Sequence, residues 1–204
     1  MKILGLDLST KTGFGLVDSR GQLLSFGQIT ERKLVQDSLL CDEYQMLARA
    51  EALASLVIED AVKPNRPDAI FIEQTNLGSK RETQKLLEFI HCVILIQLKK
   101  EGLDKAVYYV DTSRWKSALG IKMTKEDREH NKLVKAKKAR GKITSKHLSV
   151  RWANNFYNLE LKLKDNDMAD AIAMATFGLK HLSARRSPDQ SSESYILDAL
   201  RLSE

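Results

Sequence analysis

Apolar positions recur at two different periods along this chain, and each change of period marks an element. Lys2 to Leu8 is apolar-rich, Gly13 to Val17 alternates, and Gln22 to Ile29 forms a third run. Turn-formers at residues 9–13 and 18–21 separate them, which predicts three strands in consecutive antiparallel pairs. From Arg32 to Val62 apolar residues fall three and four apart (Leu39, Leu40, Tyr44, Leu47, Ala48, Leu53, Leu56, Val57), the spacing of a helix, and Pro64 and Pro67 end it. Asp68 to Glu73 encloses the unbroken run Ala69-Ile70-Phe71-Ile72, which predicts a strand covered on both faces. A largely apolar helix follows over Glu82 to Lys100, Gly102 stops it, and Ala106 to Val110 is a fifth strand. Thr144 to Phe156 has helical spacing, and Asp167 to Leu182 closes the series with Ala169, Ala171, Ala173, Ala175 and Gly178, side chains small enough for a helix to approach a sheet closely.

The expected fold is therefore α/β: a mixed five-stranded sheet, three antiparallel strands followed by parallel ones, flanked by helices. We read one domain over residues 1–182 with a basic insert at about 114–151. A tail over 183–204, rich in Ser, Arg, Pro and Gln, ends in a short helix near Tyr195 to Leu202. With 204 residues, 43% hydrophobic and 29% charged, the composition is that of a globular domain and excludes disorder and fibrous repeats. Phe89 to Leu98 is too short for a bilayer and carries His91 and Gln97, so no membrane association is expected. Asp7 interrupts the stretch that a signal peptide would keep apolar. Two cysteines, Cys41 and Cys92, make neither a disulfide framework nor a zinc site. A reduced, cytoplasmic location is expected.

Charge changes this picture. The chain carries a net +6, yet Arg114 to Arg151 holds thirteen Lys/Arg against three acids, a local +10 that leaves −4 for the remainder. One cationic segment on a mildly acidic body points to a phosphate backbone as partner, with a solvated charged loop as the plainer alternative.

Acids stand where core-building rules would exclude them. Asp7 lies in the first apolar strand, Glu73 ends the fourth, and Asp167 and Asp170 are three apart near the start of the last helix, on one side of it. Separately, Asp7 could cap a strand end, Glu73 could pair with Arg81, and Asp167 could cap its helix. Together they describe carboxylates converging at one sheet edge, a set that repels itself unless a cation neutralises it. Oxygen ligands without Cys or His select Mg²⁺ or Mn²⁺, and two such ions roughly 3.5–4 Å apart activate water against a phosphodiester.

Ile3-Leu-Gly-Leu-Asp7-Leu-Ser9-Thr-Lys-Thr12-Gly-Phe-Gly15 resembles the opening motif of RuvC-type Holliday-junction resolvases, within the RNase H-like superfamily. Phe71-Ile-Glu73-Gln74 resembles their second acidic motif, and Asp167-Met-Ala-Asp170-Ala resembles the closing one. Trp115-Lys116 with Leu119-Gly120, then Lys146 and Val150, is similar to the lysine-bearing stretch between them. The resemblance implies an RNase H-like fold, with Asp7, Glu73, Asp167 and Asp170 as ligands of two Mg²⁺ (or Mn²⁺) ions. It also implies a homodimer with two active sites and paired nicking of branched DNA, four-way junctions above all. A lysine near the scissile phosphate is implied too, Lys146 as first match and Lys116 as second. Lys116, Lys122, Lys135, Lys137, Lys138, Arg140 and Lys142, joined by Lys80 and Arg81, form the expected nucleic-acid contacts. Asn76 stands where bacterial members often carry an aromatic, and the insert at residues 121–142 and the tail are long. A phage-type or divergent member is expected, acting in the host cytoplasm if phage-encoded.

Other readings compete. A nuclease of the same fold could act on structured RNA. A non-catalytic protein could bind branched nucleic acid, though it would gain nothing from four acids facing phosphates. An actin-like ATPase could use Gly5 to Gly13 as its phosphate turn. The ATPase needs another subdomain, and no G-x-x-x-x-G-K-[S/T] loop is present. Trp115, Trp152 and His91 are expected in the core; His130 and His147, in the basic segment, are expected at solvent or phosphate.

Overall fold

A computed structural model describes residues 1–30, 41–74 and 81–186. Strands β1 (Lys2–Asp7), β2 (Lys11–Asp18) and β3 (Leu23–Thr30) precede α1 (Asp42–Val57), which runs through a π-helical turn at Ile58–Val62 into the short α2 (Lys63–Asn65). Then come β4 (Ala69–Glu73), α3 (Arg81–Lys100), β5 (Val107–Val110), α4 (Thr112–Ala118), α5 (Lys125–Lys135), α6 (Ser145–Tyr157) and α7 (Asn166–Arg186). The sheet is ordered β3-β2-β1-β4-β5, with β1 antiparallel to β2, β2 antiparallel to β3, and β4 parallel to both β1 and β5.

Strand alternation sorts the core into two layers. Leu4, Leu6, Leu8, Ile70 and Ile72 face α1 and α3, packing on Leu53, Val57, Ile90 and Ile94. Ile3, Phe71 and Val110 face the other way, towards α7, packing on Ala173, Met174 and Phe177. Asp7 and Glu73 continue the second set, so the strand period alone puts both acids on the α7 side. The helix reaches them because glycines open a path for it. A Cβ built on Gly5 would sit 2.1 Å from the Ala171 carbonyl oxygen, one on Gly13 2.1 Å from that of Asp167, and one on Gly15 2.7 Å from the Ile172 Cα. No other residue type fits there without moving the helix.

The sequence expectation over Arg32 to Val62 is met from Asp42 onward; residues 31–40 lie outside the described set, as do Asn76, Lys80 and the expected tail helix. The closing helix runs four residues past Leu182, to Arg186. The basic insert is ordered into helices, with α5 and α6 joined by a turn in which Lys137 and Gly141 take positive φ. Trp115 is fully buried, Trp152 stacks on Phe156, and the Nδ1 of buried His91 lies 2.9 Å from the Tyr109 hydroxyl. His147 joins the Thr144 cap of α6, and His130 Nε2 lies 2.8 Å from the Gly141 carbonyl oxygen. No helix among the described residues is long and apolar enough to cross a membrane, and both cysteines are free and exposed.

Candidate metal centre and nucleic-acid interface

β1 and β4 run parallel with Leu6 beside Ile72, so their next residues, Asp7 and Glu73, leave the sheet side by side. From above, α7 lowers Asp170 onto them. One carboxylate oxygen from each of Asp7, Glu73 and Asp170 lies within 4.8 Å of the others. Asp167, one turn earlier, stands at the edge of this triad: its Oδ2 accepts from Gln28 Nε2 at 3.4 Å and its Oδ1 from the Asn166 amide. Three of the four expected ligands are thus gathered, and the fourth is held beside them.

The electrostatics are those of an anionic site short of positive charge. Burial pushes the Asp7 carboxyl well above the usual range, and Glu73, Asp170 and Asp167 push it further. Burial also raises Glu73, against the hydrogen bond its Oε1 accepts from the Thr112 hydroxyl. Asp170 is raised by burial against the pull of Lys116. Its buried Oδ1 has no hydrogen-bond partner and lies 3.5 Å from the Lys116 ammonium, and a hydrogen bond from Ser149 to the same carboxyl also counters the rise. Half-buried Asp7 and Glu73 packed this closely with buried Asp170, which has an oxygen without a hydrogen bond, are a group that could hold a hard divalent cation.

The two lysines take different places. Lys116 Nζ sits over the Trp115 ring, 4.7 Å from its centroid, donates to Ser145 Oγ at 2.7 Å, and pairs with Asp170 of the triad at 3.5 Å. Lys146 Nζ reaches Asn166 Oδ1 at 3.4 Å and lies exposed on the rim. Of the two, Lys116 meets a carboxylate of the triad and Lys146 meets the residue next to Asp167. Lys122, Lys135, Lys137, Lys138, Arg140 and Lys142 are exposed on the insert and make no ion pair with a described residue; Arg81 is exposed at the start of α3. Gln28, Thr112, Ser145 and Asn166 were missed in the sequence. Hairpin register offers the signal for one of them, because Gly13 pairs with both Asp7 and Gln28 and so carries Gln28 to the acids.

The sequence matches no protein-family model, and no curated protein is significantly similar to it. Solved structures are. Thermus thermophilus RuvC in complex with a Holliday junction substrate superimposes with a TM-score of 0.55 at 18% identity, over 92% of this chain and 97% of that one. A further T. thermophilus RuvC structure gives 0.56 at 17%, over 90% and 97%. The yeast mitochondrial Holliday junction resolvase Ydc2 gives 0.52 at 13%, over 90% and 80%. With its strand order, its closing helix laid across the glycine path and nine-tenths of its length aligned, the chain has the RuvC-type, RNase H-like fold.

Proposed function

We propose that the protein is a metal-dependent, structure-selective endonuclease that resolves four-way and other branched DNA by paired phosphodiester hydrolysis. The observation that carries this reading is the clustered triad of half-buried Asp7 and Glu73 and buried Asp170, whose Oδ1 has no hydrogen bond, beside an exposed cationic insert. Asp7, Glu73 and Asp170, with Asp167 at their edge, would hold two Mg²⁺ or Mn²⁺ ions. Bound there, such ions supply the Lewis acidity that activates water and stabilises the leaving oxygen. The chain's own groups prepare that site. Thr112 fixes the Glu73 carboxylate, Gln28 and Asn166 fix Asp167, and Trp115 limits where the Lys116 ammonium can go. Lys116 is the lysine best placed to meet a non-bridging phosphate oxygen, with Lys146 further along the same strand of DNA.

Symmetric cutting needs two sites at a fixed separation, so we assign a homodimer. Packing of α3 against α1 and the sheet leaves Cys92, Leu95 and Ile96 exposed, the last two at 39% and 48%, and this strip is the proposed contact. The actin-like alternative loses ground because the described residues contain one five-stranded sheet and no second subdomain.

The test is cleavage of matched four-way, three-way, flap and linear DNA by the purified protein with Mg²⁺, each strand labelled in turn. Paired, symmetric nicks on the four-way junction are expected, and none in Asp7→Asn. Full activity in EDTA, or ATP hydrolysis without cutting, would overturn the reading.

A further inference from the structure

The insert is not a loose charged loop, and its cations are not scattered. On α5, Lys125, Arg128, Lys132 and Lys135 are spaced three, four and three residues apart, and all four are exposed. At about 100° per residue this places them in one arc of about 80°, along about 15 Å of helix. Other side chains of α5 tie it to α6 and to the segment before it. Buried Asp127 receives a two-pronged bond from Arg151 of α6 (Nη1 to Oδ1 3.0 Å, Nη2 to Oδ2 2.5 Å) and closes the Thr124 cap at 3.0 Å. Asn131 grips both backbone groups of Ile143, at 2.9 Å through its amide nitrogen and 2.8 Å through its oxygen, and His130 meets the Gly141 carbonyl.

For the helix itself the stripe cuts both ways: like charges three or four residues apart repel and Lys125 stands at the positive end of the helix dipole, while Lys132 and Lys135 in the last turn favour the negative end. None of the four side chains makes a hydrogen bond or ion pair with a described residue, although Glu126 and Glu129 lie on the same helix. A stripe of exposed cations without partners on the chain, on a helix fastened through its other side chains, is built for an anion outside the chain.

Resting on the nuclease reading, we infer that α5 is a rigid strut whose stripe lies along the sugar–phosphate backbone of a duplex DNA arm. Its length covers about four base-pair rises of about 3.4 Å. The contacts are to phosphates, so they position the arm without reading its sequence. The turn after α5, with Lys137, Lys138, Arg140 and Lys142, continues the same track.

The test measures binding, not cutting, in Ca²⁺, on a linear duplex and a four-way junction across a salt series. K125Q/R128Q/K132Q/K135Q is expected to fold as wild type by circular dichroism. Its log affinity against log salt should flatten by about 0.9 for each phosphate that the variant leaves unneutralised, about 3.6 in all, on both DNAs. K99Q/K100Q/K105Q, which removes charge at the far end of the sheet, is the control and should keep the wild-type slope. N131A keeps every charge and should bind more weakly through loss of the fastening alone. A stripe variant with the wild-type slope overturns the strut, as does a control that flattens as much. Wild-type protein that binds no DNA overturns the nuclease reading itself, a result separate from either.

Discussion

Gly5 lies directly beneath Ala171: a single methyl on Gly5 would come within 2.1 Å of the Ala171 carbonyl oxygen, one residue from Asp170. The clash is with backbone, so the helix must shift. Gly5→Ala should therefore cost stability at the upper end of overpacking, about 3 kcal/mol, and lift Asp170 away from Asp7. Thermal melts and metal titration together check this; a variant that melts and binds metal like wild type refutes the glycine path as what sets the triad.

Asp7→Asn, Glu73→Gln and Asp170→Asn should each abolish cleavage, by at least about a hundredfold, because each removes one of the proposed metal ligands. DNA binding should survive or tighten as repulsion of phosphate falls. Asp167→Asn, whose partner Gln28 can still bond an amide, is also expected to abolish cleavage. Cleavage rates and affinities measured in parallel separate chemistry from folding.

Stability should depend on pH in two windows of opposite sign. Asp7, Glu73 and Asp170 have raised carboxyls, so the folded chain holds protons that the unfolded chain has released. Without metal, the melting temperature should fall as pH rises above the ordinary carboxylate range. Asp127 acts the other way: the Arg151 hydrogen bond holds it down to about 2, so its contribution is complete above about 4 and disappears as pH falls towards 2. Asp7→Asn in EDTA at neutral pH should melt higher than wild type, by about 2–4 °C per kcal/mol gained, and adding Mg²⁺ should raise the wild type only. A flat melting temperature in EDTA across pH 4–8 would count against the crowded triad.

Leu95→Glu with Ile96→Glu should leave a monomer, because two charges on each copy would meet their equivalents across a two-fold axis. The monomer should still nick a junction but lose the pairing of cuts on a cruciform plasmid. Light scattering and incision mapping decide it; a dimer that survives the substitutions removes the α3 face from consideration.

Asp7 and Glu73 were legible because an acid in an apolar strand breaks a rule that strands otherwise keep, and the run of small residues in α7 announced a close approach. The rank of the lysines was not legible. Whether Lys116 or Lys146 reaches the acids depends on how Trp115 is buried and where Ser145 falls, and neither follows from spacing. Helix α5 escaped for a different reason: Glu126 to Lys132 is polar throughout, so no apolar period marks it. It is held by Asp127, His130 and Asn131 through hydrogen bonds, which leave no trace in a hydropathy pattern. Arg151 looked like one more basic residue of the segment, yet it is spent on Asp127 and is the insert's anchor.

Asp7 belongs to the first strand and Asp170 to the last described helix, so the triad joins the earliest and latest parts of this fold. A chain still leaving the ribosome displays its sheet, and then its cationic strut, before Asp170 can dock. The growing polypeptide thus carries two carboxylates without their third partner. Chain order would work as a safety catch for the proposed nuclease: the triad is complete only after synthesis has passed α7 and the glycine path has been closed.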